Sequence, residues 1–169
     1  MHEPALTATD VLKWNQSTNA TWRKLLTKHP EILALPCDIM QVSSVAQLLQ
    51  HIVAVELRYA ERILGLPETD YANVPYDSGE AIYATHDRAS ELYRQALDSD
   101  IRWDEEIQFQ TRSAGLLLTS RKTILFHSLF HSLRHYAQLG TLVRQHGYKT
   151  GWFGDYLFMA ATPLPNPQA

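Results

Sequence analysis

RKTILFHSLFHSLRHYAQLGTLVRQHGY, residues 121–148, decides how the rest of the chain is read. Three histidines, His127, His131 and His135, recur at intervals of four, and no proline or glycine interrupts the run before Gly140. An α-helix turns about 100° per residue, so a step of four returns to nearly the same face one turn on. Two imidazoles stacked that way can close on one metal ion. Ile124, Ser128, His131, His135, Gln138 and Leu142 form a seam at alternating steps of four and three. The histidines are therefore expected to face a packed interior. An unsatisfied ring is costly there, and a metal satisfies it.

Working outward from this stretch, Thr119 or Ser120 caps the histidine helix, which is expected over 120–146. The segment before it, DIRWDEEIQFQTRSAGLLLTS, reads as a long connection with short extended pieces around Ile107 to Phe109. Upstream, Ser78 caps a third helix over 79–98, with Ile82, His86, Ala89, Tyr93 and Ala96 as its stripe. PETDYANVPYDSG, with its two prolines, is a linker. A second helix over 44–64 starts at Ser43 or Ser44 and stops at Gly65 and Pro67. Its apolar arc is Val45, Leu48, Leu49, Ile52, Val55, Tyr59 and Ile63. His51 sits at the edge of that arc, with Arg58 and Arg62 along the same line. The first helix is expected over 9–28, with Thr7 or Thr9 as cap and Val11, Trp14, Thr18, Trp22 and Leu25 facing inward. After Gly147, WFGDYLFM is expected to make a short helical turn over the bundle end, ahead of a flexible tail from about residue 162. Four amphipathic helices and no internal repeat predict an all-α, antiparallel four-helix bundle over 1–169, with a long connection before the last long helix.

Composition narrows the function. The chain of 169 residues is 45% hydrophobic and 20% charged with a net charge of −3, a globular composition without a nucleic-acid footprint. Basic residues are scattered and no apolar run approaches a membrane span, so neither a nucleic acid nor a membrane is expected as partner. No signal peptide opens the chain, and the cytoplasm is the expected location. The single cysteine, Cys37, excludes a Cys-rich zinc site and reads as an inert thiol. Glu-x-x-His, His-Glu-x-x-His, His-x-x-x-Glu and glycine-rich phosphate loops are all missing. What remains is a bundle with an all-histidine site.

Not all eight histidines belong to it. His86, alone on an apolar face, is first of all a hydrogen-bonded core residue and only second a metal ligand. His2, His29 and His146 lie at the terminus or at helix ends, where solvation is expected. Trp14, Trp22 and Tyr59 have core spacing, although they could line a pocket. His127 and His135 are eight residues apart, about 12 Å along a helix axis, whereas two nitrogens on a tetrahedral zinc lie roughly 3.3 Å apart. One ion cannot take both. Angular position does not separate the pair His127–His131 from His131–His135, but the seam runs through His135 and passes beside His127.

QLLQHIVAVELRYAERI around His51 and HSLRHYAQLGTLVRQHGY around His131 and His135 resemble the DinB/YfiT-like bundle proteins. That family places one histidine on the second helix and a His-x-x-x-His on the last, followed by Arg-Gly-Gln and a hydrophobic residue. Gln138 matches; Tyr136 and Ala137 stand where arginine and glycine are usual. The resemblance spans about residues 43–160. It implies a divalent metal, zinc or nickel, on His51, His131 and His135, with open positions for water or substrate. It also implies kinship with transferases and isomerases that use a low-molecular-weight thiol. Gln138, His127, Tyr59 and His86 are the expected neighbours of the site. The resulting expectation is a metal-dependent thiol transferase, isomerase or hydrolase on a small molecule, its rival a non-catalytic metal-binding or stress-response bundle.

The histidine helix carries a second apolar row, Phe126, Leu129, Phe130 and Leu133, at steps of three and four. Left in water it would be a large apolar patch, so a homodimer through this face is expected. The alternative is cover from the tail or the 100–118 connection.

Overall fold

The structure is a computed structural model that describes residues 4–111, 114–152, 154–162 and 164. His2 and most of the tail beyond residue 162 lie outside the described residues.

Four long helices dominate: α1 Ala8–Lys28, α2 Val45–Leu64, α3 Gly79–Leu97 and α4 Arg121–Gln145. Each begins where a hydroxyl can take an orphan backbone donor. Thr7 and Asp10 form a reciprocal capping box on α1. Ser44, Ser78 and Ser120 accept from the backbone N–H groups of Gln47, Ala81 and Thr123. Gly65 ends α2 in the left-handed conformation at φ 69°, which costs glycine nothing sterically.

Packing fixes the direction of each helix. One core cluster joins Trp22 and Leu25 of α1, Val45 and Leu49 of α2, Ile82 and Tyr83 of α3, and Leu139 and Leu142 of α4. The other joins Val11, Leu57, Ala89 with Tyr93, and Ile124 with Leu129. Thus α1 and α4 run one way and α2 and α3 the other. Both α1 and α2 pack against α3 and α4. Of the contacting pairs, α1–α3 and α2–α4 are antiparallel, whereas α1–α4 and α2–α3 are parallel. Because α2 and α3 point the same way, residues 65–78 must return along the bundle. They do so on α2: Glu61 holds Thr69 through its backbone N–H and its hydroxyl, both at 2.7 Å, and Gln50 Nε2 donates to Val74 O at 2.7 Å. The connection before α4 instead folds back on itself. It is a hairpin of β1 Glu106–Thr111 and β2 Gly115–Ser120, in antiparallel register from Glu106–Ser120 to Thr111–Gly115. The expectation placed one or two extended pieces around Ile107 to Phe109; the second strand lies beyond them, at Gly115–Ser120.

Tyr156–Met159 forms a short 3-10 turn at the C-terminal end. Trp14 Nε1 donates to Gly154 O at 3.0 Å, and Trp22 meets Trp152 edge-on at 5.3 Å between ring centres. Trp22 is core, as its spacing suggests. Among the described residues no helix is long and apolar enough to cross a membrane.

The second apolar row of α4 is not the open face anticipated for pairing. Leu129 is fully buried in the second cluster, and Phe126 and Leu133 pack against that cluster. Only Phe130 is exposed, at 44%, stacked on Phe126 at 6.0 Å. The reason lies in the packing: α4 touches both α1 and α2, so it is apolar on two sides.

Candidate metal centre

His51 stands in the first half of α2, and His131 and His135 in the middle of α4, where the two helices pack against each other. The i, i+4 spacing stacks the α4 pair, with ring centres 4.4 Å apart. His51 meets them from across the seam at 4.9 and 5.2 Å. All three turn Nε2 inward. His131 Nε2 lies 3.1 Å from His51 Nε2 and 3.2 Å from His135 Nε2. One ligand atom from each lies within 4.8 Å of those from the others, the only such group of three found among the described residues. Tetrahedral zinc with bonds near 2.0–2.1 Å wants nitrogens roughly 3.3 Å apart.

Protonation states sharpen the fit. Gln138 Oε1 lies 2.7 Å from His135 Nδ1, and an amide oxygen only accepts, so the ring proton sits on Nδ1. His135 Nε2 then offers a lone pair to the cluster. Arg134 Nη2, a donor 3.2 Å away, is consistent with that. A single proton on His131 Nε2 could serve only one of its two neighbours. With that proton on Nδ1 instead, lone pairs would face each other. His131 Nδ1 is sealed from water and has no hydrogen-bond partner among the described residues. A cation among the three nitrogens removes the conflict. Burial first, then the neighbouring His135 and His51, drives the His131 pKa down to about 2. Burial also lowers His135, with the Gln138 hydrogen bond opposing and Arg134 reinforcing the shift. Neutral rings are the form that binds metal.

A profile of the DinB family matches residues 1–168. The chain belongs to the DinB family. No curated protein matches it. Within this DinB bundle, a cavity of about 690 Å³ opens over His51 and His131. Its walls come from α2, α4, the 40–42 loop, Tyr71 of the returning linker, and Gln110 and Thr111 of the hairpin. All three connections between the helices thus contribute to the wall of the cavity.

The remaining histidines fall elsewhere. His127 lines the same cavity but stays outside the cluster, 5.6 Å from His131 and 5.7 Å from Tyr59 between ring centres. Tyr59 is also a wall residue, set edge-on to Phe109 at 6.0 Å. His86 is buried in the core, with Nδ1 2.7 Å from Glu56 Oε2 and Nε2 3.2 Å from Ser90 Oγ. His29 pairs with Glu31 at 3.1 Å, and His146 Nδ1 lies 3.0 Å from Leu142 O at the end of α4. Cys37 is buried, and burial raises its pKa, in keeping with an inert thiol.

Sequence reasoning passed over Glu56. It is 1% exposed, and it accepts Asn15 Nδ2 at 2.8 Å while holding His86. Burial pushes its pKa up most strongly, yet His86, Asn15 and Ser132 together leave it lowered. The signal was available: Glu56 stands four residues after Ile52, on an apolar arc. Arg134 was passed over as well, because a lone arginine on a helix looks like solvated surface.

Proposed function

We propose that this chain is a divalent-metal-dependent enzyme acting on a small molecule, with His51, His131 and His135 as ligands to zinc or nickel. The observation that carries this reading is the convergence of three Nε2 atoms at metal-ligand spacing beneath an open cavity. Three protein ligands leave a coordination position free, which is how catalytic metals are held. A divalent ion there would supply Lewis acidity, acidifying a water or a thiol and polarising a substrate oxygen. The chain's own residues do the rest. Gln138 fixes the His135 tautomer, and His127 and Tyr59 shape the wall above the ligands. The reaction class is transfer or isomerisation with a low-molecular-weight thiol, or hydrolysis.

The test is consumption of a thiol and an electrophile, and of ester and amide substrates, by zinc-loaded, nickel-loaded and stripped protein. Turnover that follows metal content supports the enzyme. A metal that raises the unfolding temperature but takes no exchangeable ligand would make it a non-catalytic metal-binding bundle. Homodimer pairing through this row would rest on Phe130, its one exposed member, because Leu129 is buried. Light scattering of F130S against the parent chain decides it. A monomeric parent chain removes the dimer.

A further inference from the structure

The cavity over the histidines carries charge of one sign. Arg58, Arg62 and Arg134 line it, and among the described residues no aspartate or glutamate does. Glu68, behind the wall, answers two of the three guanidiniums: Arg58 Nη2 at 3.0 Å, Arg62 Nε at 2.8 Å and Arg62 Nη2 at 2.6 Å. One carboxylate between two guanidiniums leaves a positive surplus. Arg134 has no carboxylate within ion-pair distance among the described residues; its contact is His135 Nε2. Two donors in this wall, Arg58 Nε and Arg62 Nη1, are sealed from water without a hydrogen-bond partner. Arg62 is 8% exposed and fixed in place, its guanidinium 4.0 Å over the Phe109 ring and 4.8 Å from the Tyr59 ring centre.

Unanswered positive charge around a recess focuses the field and draws in an anion. The guanidinium fork suits a planar or tetrahedral oxyanion, which it can grip through two parallel hydrogen bonds. The histidine donors are neutral and add no negative charge, so a dication on them would only enlarge the surplus. The size of the cavity fits a ligand of modest dimensions.

We propose that the cavity recognises its substrate through an oxyanion group, a carboxylate or a phosphate, gripped by Arg134 and attracted by the charge of Arg58 and Arg62 in the wall. This names a substrate class for the metal-dependent reading above and deepens it, but the arginine set stands independently of the metal.

The experiment is calorimetric titration in Tris buffer with succinate, with ethyl phosphate and with neutral succinamide. Both zinc-loaded protein and protein stripped of metal and dialysed free of chelator are used. At least one anion is expected to bind one-to-one, with succinamide at least tenfold weaker; the preferred anion tells carboxylate from phosphate. R134Q, at an exposed position, is expected to weaken the anion at least tenfold while keeping the parent zinc content and unfolding midpoint. R134K should fall between, since it keeps the charge and loses the fork. If zinc is not taken up, the metal-site reading fails, yet anion binding to the stripped chain is still expected. No saturable anion binding in either form overturns the proposal. So does equal binding of succinamide, or an unchanged affinity in R134Q.

Discussion

Replacing Gln138 by leucine should weaken zinc binding tenfold to a hundredfold while leaving the fold intact. The substitution removes the acceptor that lies 2.7 Å from His135 Nδ1. Gln138 is exposed, so the loss of its carboxamide should cost the metal-free protein no more than about 0.5 kcal/mol. Its effect on the site is larger. Without the acceptor the ring proton is free to sit on either nitrogen, and only the Nδ1–H tautomer turns a lone pair toward His131 and His51. Partners that hold a metal-binding histidine in this way are typically worth about 10–100-fold in affinity, or roughly 1.4–2.7 kcal/mol. Competition for zinc against a chromophoric chelator reads the affinity, and urea unfolding of stripped protein reads the fold. Q138E keeps an acceptor oxygen and should bind zinc at least as tightly as the parent chain. If Q138L holds zinc within twofold of the parent, the tautomer argument is wrong. It also fails if Q138E loses zinc as badly as Q138L.

Two further outcomes follow from the buried groups. Glu56→Ala leaves Asn15 Nδ2 and His86 Nδ1 without their partner in the core, and should destabilise the chain by about 3–5 kcal/mol in urea unfolding; a loss under 1 kcal/mol would mean the network reorganises freely. For the metal-free chain, the folded pKa of His131 is about 2, whereas an unfolded histidine titrates near 6.5. Between those values the unfolded state binds more protons, so stability should fall as pH drops below about 6.5, with His131 contributing up to ~1.4 kcal/mol per pH unit. H131Q should flatten that slope between pH 7 and 5, and an equal slope in both chains would contradict the assignment.

The parts of the fold that local chemistry controls were legible. The hydroxyls of Thr7, Ser44, Ser78 and Ser120 mark helix starts because a cap is a contact between residues two or three apart. Gly65 marks a stop for a similarly local reason. The stacking of His131 on His135 follows from helix periodicity alone. Longer-range features were not legible. Prolines show that residues 65–78 are a linker, but their path is set by Glu61 and Gln50 on α2. Leu116, Leu117 and Leu118 form a continuous apolar run, and only pairing with Glu106–Thr111 makes it a strand. A helical wheel leaves Leu129 on a second face, while the packing of α4 against both α1 and α2 buries it. Gln138 falls on the inward seam by register; the residue is nonetheless exposed, and its side chain reaches back to His135. The arginines of the cavity come from α2 and α4, and only the fold brings them together.

The most direct test of the metal centre is the metal content of untagged protein, measured by native mass spectrometry and elemental analysis after zinc loading and desalting. The parent chain should carry one equivalent. His51→Ala, His131→Ala and His135→Ala should each lose most of it, with H127A and H86A keeping it whenever they fold. A parent chain that carries no zinc or nickel would contradict the account, as would loss of the metal in H127A with retention in H135A.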